Sequence, residues 1–304
     1  MHAMPKPVPG PLANPRRPTL AVPPGATDCH CHVFGPSARF PFVPERGYTP
    51  PDAPLEDYLR LLGILGLERT VIVQPSIYGD DHRCTEDAIA RLGGRARGVA
   101  AVSPEVDEAE LERLAAAGFR GTRFNLIDSG GSVPLSALET VAAKVAPLGW
   151  HVQIYARPEL LAEALPRLLA LPTQVVIDHL GQVDLAAGQG QPGFRAMLRL
   201  LDAGRGWVKL CAYRCDPAGA PFLAAVSMVR ALDAVAPERL VWGTDWPHPH
   251  LPELVPGVPL SMPDDGDLVD ALGIWFEDLA ALHRILVTNP ESLYGFSDPS
   301  SASA

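Results

Sequence analysis

The chain has 304 residues, of which 47% are hydrophobic and 20% charged, and this composition suits one large folded core. The formal net charge of -10 argues against a nucleic-acid partner, because nucleic-acid-binding domains usually carry basic surfaces. Five cysteines without a CxxC pair suit a reduced, cytoplasmic protein, and the absence of a long apolar run argues against a membrane span.

The chain begins with a proline-rich segment, residues 1–25, which lacks the apolar region of a secretory signal. We expect this segment to form an extended arm that is loosely ordered or laid across a surface. Residues 26–296 are predicted to form one domain, and residues 297–304 are predicted to be a frayed tail.

Short apolar runs alternate with amphipathic stretches along the whole domain. The predicted strands are Ala26 to His32, Thr70 to Gln74, Gly98 to Val102, Gly121 to Phe124, His151 to Tyr155, Gln174 to His179, Trp207 to Leu210 and Arg239 to Gly243. The predicted helices are Leu55 to Leu65, Glu108 to Ala117, Leu135 to Val145, Glu159 to Leu169, Phe194 to Leu201, Pro221 to Ala234 and a closing helix near Leu268 to Leu286. Eight strands that alternate with helices predict an α/β fold, a single (β/α)8 TIM barrel. A doubly wound open sheet is the alternative, but no GxGxxG motif directly follows a predicted strand.

Two histidines lie two residues apart in the first predicted strand. Because side chains alternate between the two faces of a strand, His30 and His32 are expected to point the same way. Cys29 and Cys31 are then expected to face the helix layer as small buried residues. Such a pair of imidazoles can bind a metal, hold a carbonyl oxygen or relay a proton.

Polar residues also follow most of the other predicted strands, at the barrel end where active sites form. They are Gln74, Ser76, Arg123, Asn125, Tyr155, Asp178, His179, Cys211, Arg214 and Asp245. Arg123 could bind a ligand or form a structural ion pair with Asp178, and Tyr155 could simply be a packing residue. Gln74 and Ser76 could cap a loop. His151 begins its strand, so we expect it to have a core or surface role.

Several of these segments resemble the amidohydrolase superfamily, and specifically its amidohydrolase-2 branch. They are the Asp28–Gly35, Arg46–Pro50, Gly121–Asn125, Val176–Gly181 and Trp242–Pro249 segments, and the resemblance extends from Thr27 to Tyr294. It implies that Asp245 is a general base that activates water, and that His30, His32 and His179 polarise a lactone carbonyl. It also implies that Tyr48, Ser76, Tyr155, Arg123 and Arg214 line the substrate pocket.

The chain departs from this pattern at two positions. Members of the branch that open a dicarboxylate lactone carry further arginines where this chain has Ser129 and Gln182. Each missing arginine removes a planar clamp for a carboxylate. We therefore expect the substrate to be a small lactone with one carboxylate or one sulfonate, bound by Arg123 and Arg214.

The resemblance leaves the metal requirement open. Binuclear members carry a bridging Lys or Glu on the fourth strand, where this chain has Arg123. A single Zn²⁺ could be held by His30, His32, His179 and Asp245. Because two arginines near the site would repel a divalent cation, we expect that no metal is required.

Three other functions are consistent with the same residues. A Zn²⁺-dependent decarboxylase of the branch would release CO₂ from an aromatic or unsaturated acid, and a lactone isomerase would shift the ring without releasing acid. A non-catalytic barrel would tolerate the replacement of Asp245 by Asn. The oligomeric state is left open by the sequence.

Overall fold

The computed structural model describes residues 6–127, 133–216, 219–249 and 261–296. The strands within these ranges are β1 Lys6–Pro7, β2 Thr27–Cys31, β3 Tyr48–Thr49, β4 Arg69–Val73, β5 Ala96–Ala100, β6 Phe119–Asn125, β7 His151–Tyr155, β8 Val175–Ile177, β9 Gly206–Lys209 and β10 Leu240–Val241. The α-helices are α1 Leu55–Leu65, α2 Arg83–Leu92, α3 Glu108–Ala116, α4 Leu138–Val145, α5 Pro158–Ala170, α6 Pro192–Asp202, α7 Val226–Val235, α8 Asp265–Trp275, α9 Leu279–His283 and α10 Asn289–Tyr294. None of the described helices has the length and apolar character needed to span a bilayer. The predicted tail 297–304, residues 1–5 of the predicted arm, and Ser129 lie outside the described residues.

Eight parallel strands form the central sheet in the order β2, β4, β5, β6, β7, β8, β9, β10. The first and last of these strands meet, because the backbone N–H of Cys29 donates to the carbonyl of Trp242 at 2.9 Å and that of His32 donates to Trp246 at 2.7 Å. A third bond runs from the Asp245 N–H to the His30 carbonyl at 2.7 Å. The predicted (β/α)8 barrel, with all eight of its strands, is therefore confirmed.

Alternate residues of the strands form two separate apolar clusters. Val71, Val99, Val176 and Val241 pack with Tyr294 in the smaller cluster, which fills the barrel interior. The residues next to them in sequence join the larger cluster between the strands and the helices, whose members include Ile72, Ala100, Val175, Ile177 and Leu240. Burial on both faces explains why the strands are apolar without interruption.

The expected orientation of the two early cysteines is wrong for Cys29. Cys31 belongs to the outer cluster, but Cys29 belongs to the inner one. The register of β2 against β4 shifts between Asp28 and Cys31, and this irregularity interrupts the alternation of side chains. Both thiols are buried, as expected.

The helices differ most clearly from the predictions at α2 and at the closing helix, and α7 begins at Val226 where Pro221 was predicted. Helix α2 was not predicted, because its apolar face is made partly of the small residues Cys84 and Ala88. The single closing helix predicted near Leu268 to Leu286 is wrong: α8 ends at Trp275, and Asp278 begins α9 by accepting a hydrogen bond from the Ala280 N–H at 2.8 Å. A side-chain cap inside the predicted segment thus starts a new helix.

The described part of the N-terminal segment contacts the barrel through β1 and Arg16, and its residues Val8, Leu20 and Val22 pack against the core. Strand β1 pairs with β3 through Lys6 and Tyr48. Arg16 lies against α8, where its Nε donates to Asp267 at 2.6 Å and its terminal nitrogen donates to Asp270 at 2.6 Å.

Candidate active site

Closure of the barrel brings the four predicted catalytic residues together. The Nε2 atoms of His30, His32 and His179 lie 3.5, 3.4 and 4.0 Å from Oδ1 of Asp245. All four side chains are buried. We refer to His30, His32, His179 and Asp245 as the His–Asp quartet.

Hydrogen bonding determines the tautomer of His32. Its Nδ1 lies 2.7 Å from the carbonyl oxygen of Val73, which can only accept a hydrogen bond. Nδ1 therefore carries the proton, and Nε2 presents its lone pair towards Asp245.

The two carboxylate oxygens of Asp245 have different surroundings. Oδ2 accepts hydrogen bonds from the Tyr213 hydroxyl at 2.6 Å and from Nε of Arg214 at 2.5 Å. Oδ1 has no hydrogen-bond partner among the described residues. Burial alone would raise the pKa of Asp245, but the guanidinium of Arg214 holds this pKa well below its usual range. Asp245 is therefore an ionised carboxylate, one oxygen of which is without a partner in the described part of the chain.

The imidazoles around this carboxylate are neutral. Burial lowers the pKa of His32, and it lowers the pKa of His179 to about 3, although the nearby carboxylates oppose the shift. His179 and Asp245 also have positive φ angles of 48° and 63°, in the left-handed region that non-glycine residues rarely adopt. Such conformations persist where the surrounding structure holds them, and they are frequent at active sites.

A second buried polar group lies behind His30. Asp178 accepts hydrogen bonds on Oδ2 from Nε of Arg123 at 2.9 Å and from the amide of Gln153 at 3.0 Å. Its Oδ1 lies 3.3 Å from Nδ1 of His30 and 3.7 Å from Nζ of Lys209. The possible ion pair between Arg123 and Asp178 is thus present in the structure.

Three of the predicted substrate-binding residues contact the quartet or each other. The ring of Tyr155 lies 5.0 Å from that of His179, and its hydroxyl lies 3.5 Å from Arg214. The guanidinium of Arg123 lies 5.1 Å from the Tyr155 ring. Apart from Nε, the nitrogens of Arg123 have no hydrogen-bond partner in the part of the chain that the structure describes. Tyr48 lies in β3 and Ser76 opens a turn after β4; neither makes a hydrogen bond to the quartet within the described ranges.

The remaining polar residues have structural contacts. Gln74 donates to the carbonyls of Gly79 and Asp81 at 3.1 and 2.9 Å, so it ties down the loop after β4. His151 is buried in the barrel interior, with its ring 5.4 Å from that of Tyr294.

Sequence reasoning missed Lys209 and Tyr213. Lys209 ends the apolar strand β9 and is fully buried, with Nζ 3.2 Å from Nδ1 of His30. A lysine in a strand that is otherwise buried could have indicated its role. Tyr213 had no comparable signal, because an aromatic residue after a strand is usually a packing residue.

Comparison with known proteins gives a consistent result. The family model described as Amidohydrolase matches residues 27–296. The chain is 40% identical to a 2-pyrone-4,6-dicarboxylate hydrolase of Comamonas testosteroni, over 93% of this chain and 94% of that protein. It is 38% identical to a 4-sulfomuconolactone hydrolase of Rhizobium radiobacter, over 95% and 96%. A crystal structure of an apo protein from Agrobacterium tumefaciens superposes with a TM-score of 0.82 and 33% identity, over 92% of this chain and 99% of that one.

Proposed function

Because this chain belongs to the amidohydrolase family, we propose that its His–Asp quartet opens a lactone that bears one carboxylate or sulfonate. The relatives that are 38% and 40% identical are named as hydrolases of anionic lactones, which supports this substrate class. The observation that carries the proposal is the ionised Oδ1 of Asp245, which has no hydrogen-bond partner among the described residues and lies against three neutral imidazoles in a buried site.

In the proposed reaction, Asp245 Oδ1 takes a proton from water while the water oxygen bonds to the lactone carbonyl carbon. The electron pair of the carbonyl moves to its oxygen, and imidazole N–H groups of the quartet stabilise the resulting negative charge. The tetrahedral intermediate then collapses, and the bond between the carbonyl carbon and the ring oxygen breaks. Asp245 returns its proton to the departing oxygen, so the product is an open-chain hydroxy acid or its keto tautomer.

The anionic group of the substrate would bind to Arg123. Its terminal nitrogens have no partner within the described residues, whereas Nε is held by Asp178. Arg214 is more fully engaged, with Asp245 on Nε and the Pro249 carbonyl 2.8 Å from its terminal nitrogen. One guanidinium fork suits one carboxylate or sulfonate. Gln182 stands where a further arginine would bind a second anionic group, so it also favours a substrate with one such group.

The quartet also has a donor set that fits one Zn²⁺, since three imidazole nitrogens and a carboxylate oxygen converge. When bound there, Zn²⁺ would lower the pKa of a bound water. We propose nevertheless that hydrolysis requires no metal. Arg214 bonds Asp245 directly, Lys209 lies 3.2 Å from His30, and Arg123 is nearby, so three cationic side chains oppose a divalent ion.

We also propose a cytoplasmic location, because all five cysteines are unpaired and buried. Free thiols persist in reducing compartments.

The proposal is tested by measuring acid release from a panel of anionic and neutral lactones, with and without a chelator, on protein of known metal content. Acid release that is insensitive to the chelator and best with a monoanionic lactone is expected. Tightly bound Zn²⁺ with CO₂ release would instead indicate a decarboxylase, and a shifted ring without acid would indicate an isomerase.

The same assay tests the general base. We expect Asp245→Asn to lower turnover about 10⁴-fold or more, because the amide oxygen cannot take up the proton of water. A circular dichroism spectrum like that of the parent protein would show that the fold is intact. Hydrolysis by a folded variant at the parent rate would rule out Asp245 as the base.

A further inference from the structure

Lys209 is a fully buried lysine to which the proposed reaction assigns no role. Its Nζ lies 2.9 Å from the Cys29 carbonyl, 2.9 Å from Oε1 of Gln153 and 3.2 Å from Nδ1 of His30. An ammonium group has three N–H donors and no acceptor, so these three atoms match its capacity. The third N–H of Lys209 would then donate to Nδ1 of His30.

Two neighbours compete for Nδ1 of His30. Lys209 offers a donor at 3.2 Å, and Asp178 Oδ1 offers an acceptor at 3.3 Å. A neutral imidazole has one proton, so the choice of partner decides which ring nitrogen carries it.

The orientation of Gln153 favours Lys209 as the partner. Its amide nitrogen donates to Asp178 Oδ2, and its amide oxygen faces Lys209. This arrangement requires Lys209 to donate. Asp178 also accepts a hydrogen bond from Nε of Arg123, so it does not need His30 as a donor.

We propose that Lys209 is a positioning residue that keeps the proton of His30 on Nε2. His30 then presents an N–H to the reacting atoms, whereas His32, whose Nδ1 proton is held by Val73, presents a lone pair. The two histidines of one strand thus have opposite hydrogen-bonding roles. Given the proposed function, His30 donates to the carbonyl oxygen of the lactone and His32 accepts a hydrogen bond from the attacking water.

The same contact disfavours metal binding. A metal needs the lone pair of Nε2, which the proton occupies while Lys209 donates to Nδ1. Without Lys209, Asp178 can accept the proton on Nδ1, and this carboxylate–histidine pairing is the one that typically supports a metal ligand.

The tautomer is measured directly by nitrogen NMR of the parent protein labelled with ¹⁵N-histidine, with His30 assigned from the spectrum of His30→Asn. We expect a protonated Nε2 and an unprotonated Nδ1 on His30, and the reverse on His32. A protonated Nδ1 on His30 would overturn the inference. This readout does not depend on activity, so it separates a failure of the inference from a failure of the proposed hydrolysis.

The role of Lys209 is tested with Lys209→Met. We expect kcat to fall about 100-fold with little change in KM, as for the loss of one donor to a developing oxyanion. We also expect equilibrium dialysis with Zn²⁺ to show about 10-fold tighter binding. Unchanged kcat and unchanged Zn²⁺ affinity in a folded variant would contradict the proposal. If the variant does not fold, the NMR measurement on the parent protein decides.

The matched control is Lys144→Met. Lys144 donates to the Val106 carbonyl at 2.6 Å on the outside of the barrel. Its replacement also removes one ammonium and one hydrogen bond to a carbonyl, but we expect kcat, Zn²⁺ affinity and the His30 spectrum to stay the same.

Discussion

At the scale of single residues, each buried carboxylate of the site has its own arginine. Arg214 bonds Asp245 and Arg123 bonds Asp178. A buried carboxylate without a partner would take up a proton instead of staying ionised. The arginines that the sequence predicts as substrate ligands therefore also keep the carboxylates charged, and only Arg123 retains nitrogens without a partner in the described ranges.

The remaining capacity of Arg123 leads to a prediction about substrate binding. We expect Arg123→Met to raise KM for anionic lactones about 10- to 100-fold, which corresponds to the loss of a hydrogen bond between charged groups. The KM for neutral lactones is expected to change much less. Steady-state kinetics on matched anionic and neutral substrates measure the difference. An equal effect on both substrates would return Arg123 to a purely structural role as the partner of Asp178.

At the scale of elements, the seam between β2 and β10 assembles the site. A Cβ atom added at Gly243 would lie 2.5 Å from the backbone nitrogen of His30, closer than real Cβ contacts allow. Glycine therefore permits the last strand to approach the first closely enough for Asp245 to meet the histidines.

This close approach makes Gly243→Ala a test of the seam. The added methyl must push β10 away from β2, so we expect a loss of about 1–3 kcal/mol in the free energy of unfolding and at least a 10-fold loss in kcat. Urea unfolding and kinetics measure the two effects. Gly63→Ala, on the exposed face of α1 with nothing within 4 Å, is the control. It is expected to be neutral or stabilising by up to about 1 kcal/mol. Equal changes in the free energy of unfolding and in kcat for the two variants would contradict the proposal that the close approach of β2 and β10 assembles the site.

At the scale of the whole molecule, the barrel interior holds a neutral histidine outside the quartet. His151 packs on Tyr294, and neither of its ring nitrogens has a hydrogen-bond partner among the described residues. Burial, together with the charge of Lys209, lowers the pKa of His151 to about 3. Below about pH 6.5, His151 takes up a proton in the unfolded chain but stays neutral in the folded chain. The free energy of unfolding therefore falls as the pH drops from about 6.5 towards 3.

Replacing His151 should make the free energy of unfolding depend less steeply on pH on the acidic side. Between pH 7 and pH 5 we expect His151 to lower the free energy of unfolding of the parent protein by about 2 kcal/mol. We expect His151→Phe to lack this part of the loss. Urea unfolding at the two pH values measures the difference. Replacement of His283, an exposed histidine outside the barrel interior, by Gln is the control for the loss of one imidazole. An identical pH dependence for His151→Phe and the parent would show that His151 is protonated in the folded state.

The sequence by itself determined the number and order of the barrel strands, because apolar runs and their spacing are local features of the chain. It also pointed to the His–Asp quartet, since the carboxyl ends of parallel strands must meet at one end of a barrel. Only the tertiary structure decided the partners: the pairing of Arg214 with Asp245, the inward position of Cys29, and the contact of Lys209 with His30, 179 residues away. Such contacts depend on strand register and on closure of the barrel, which bring together residues that no local pattern relates.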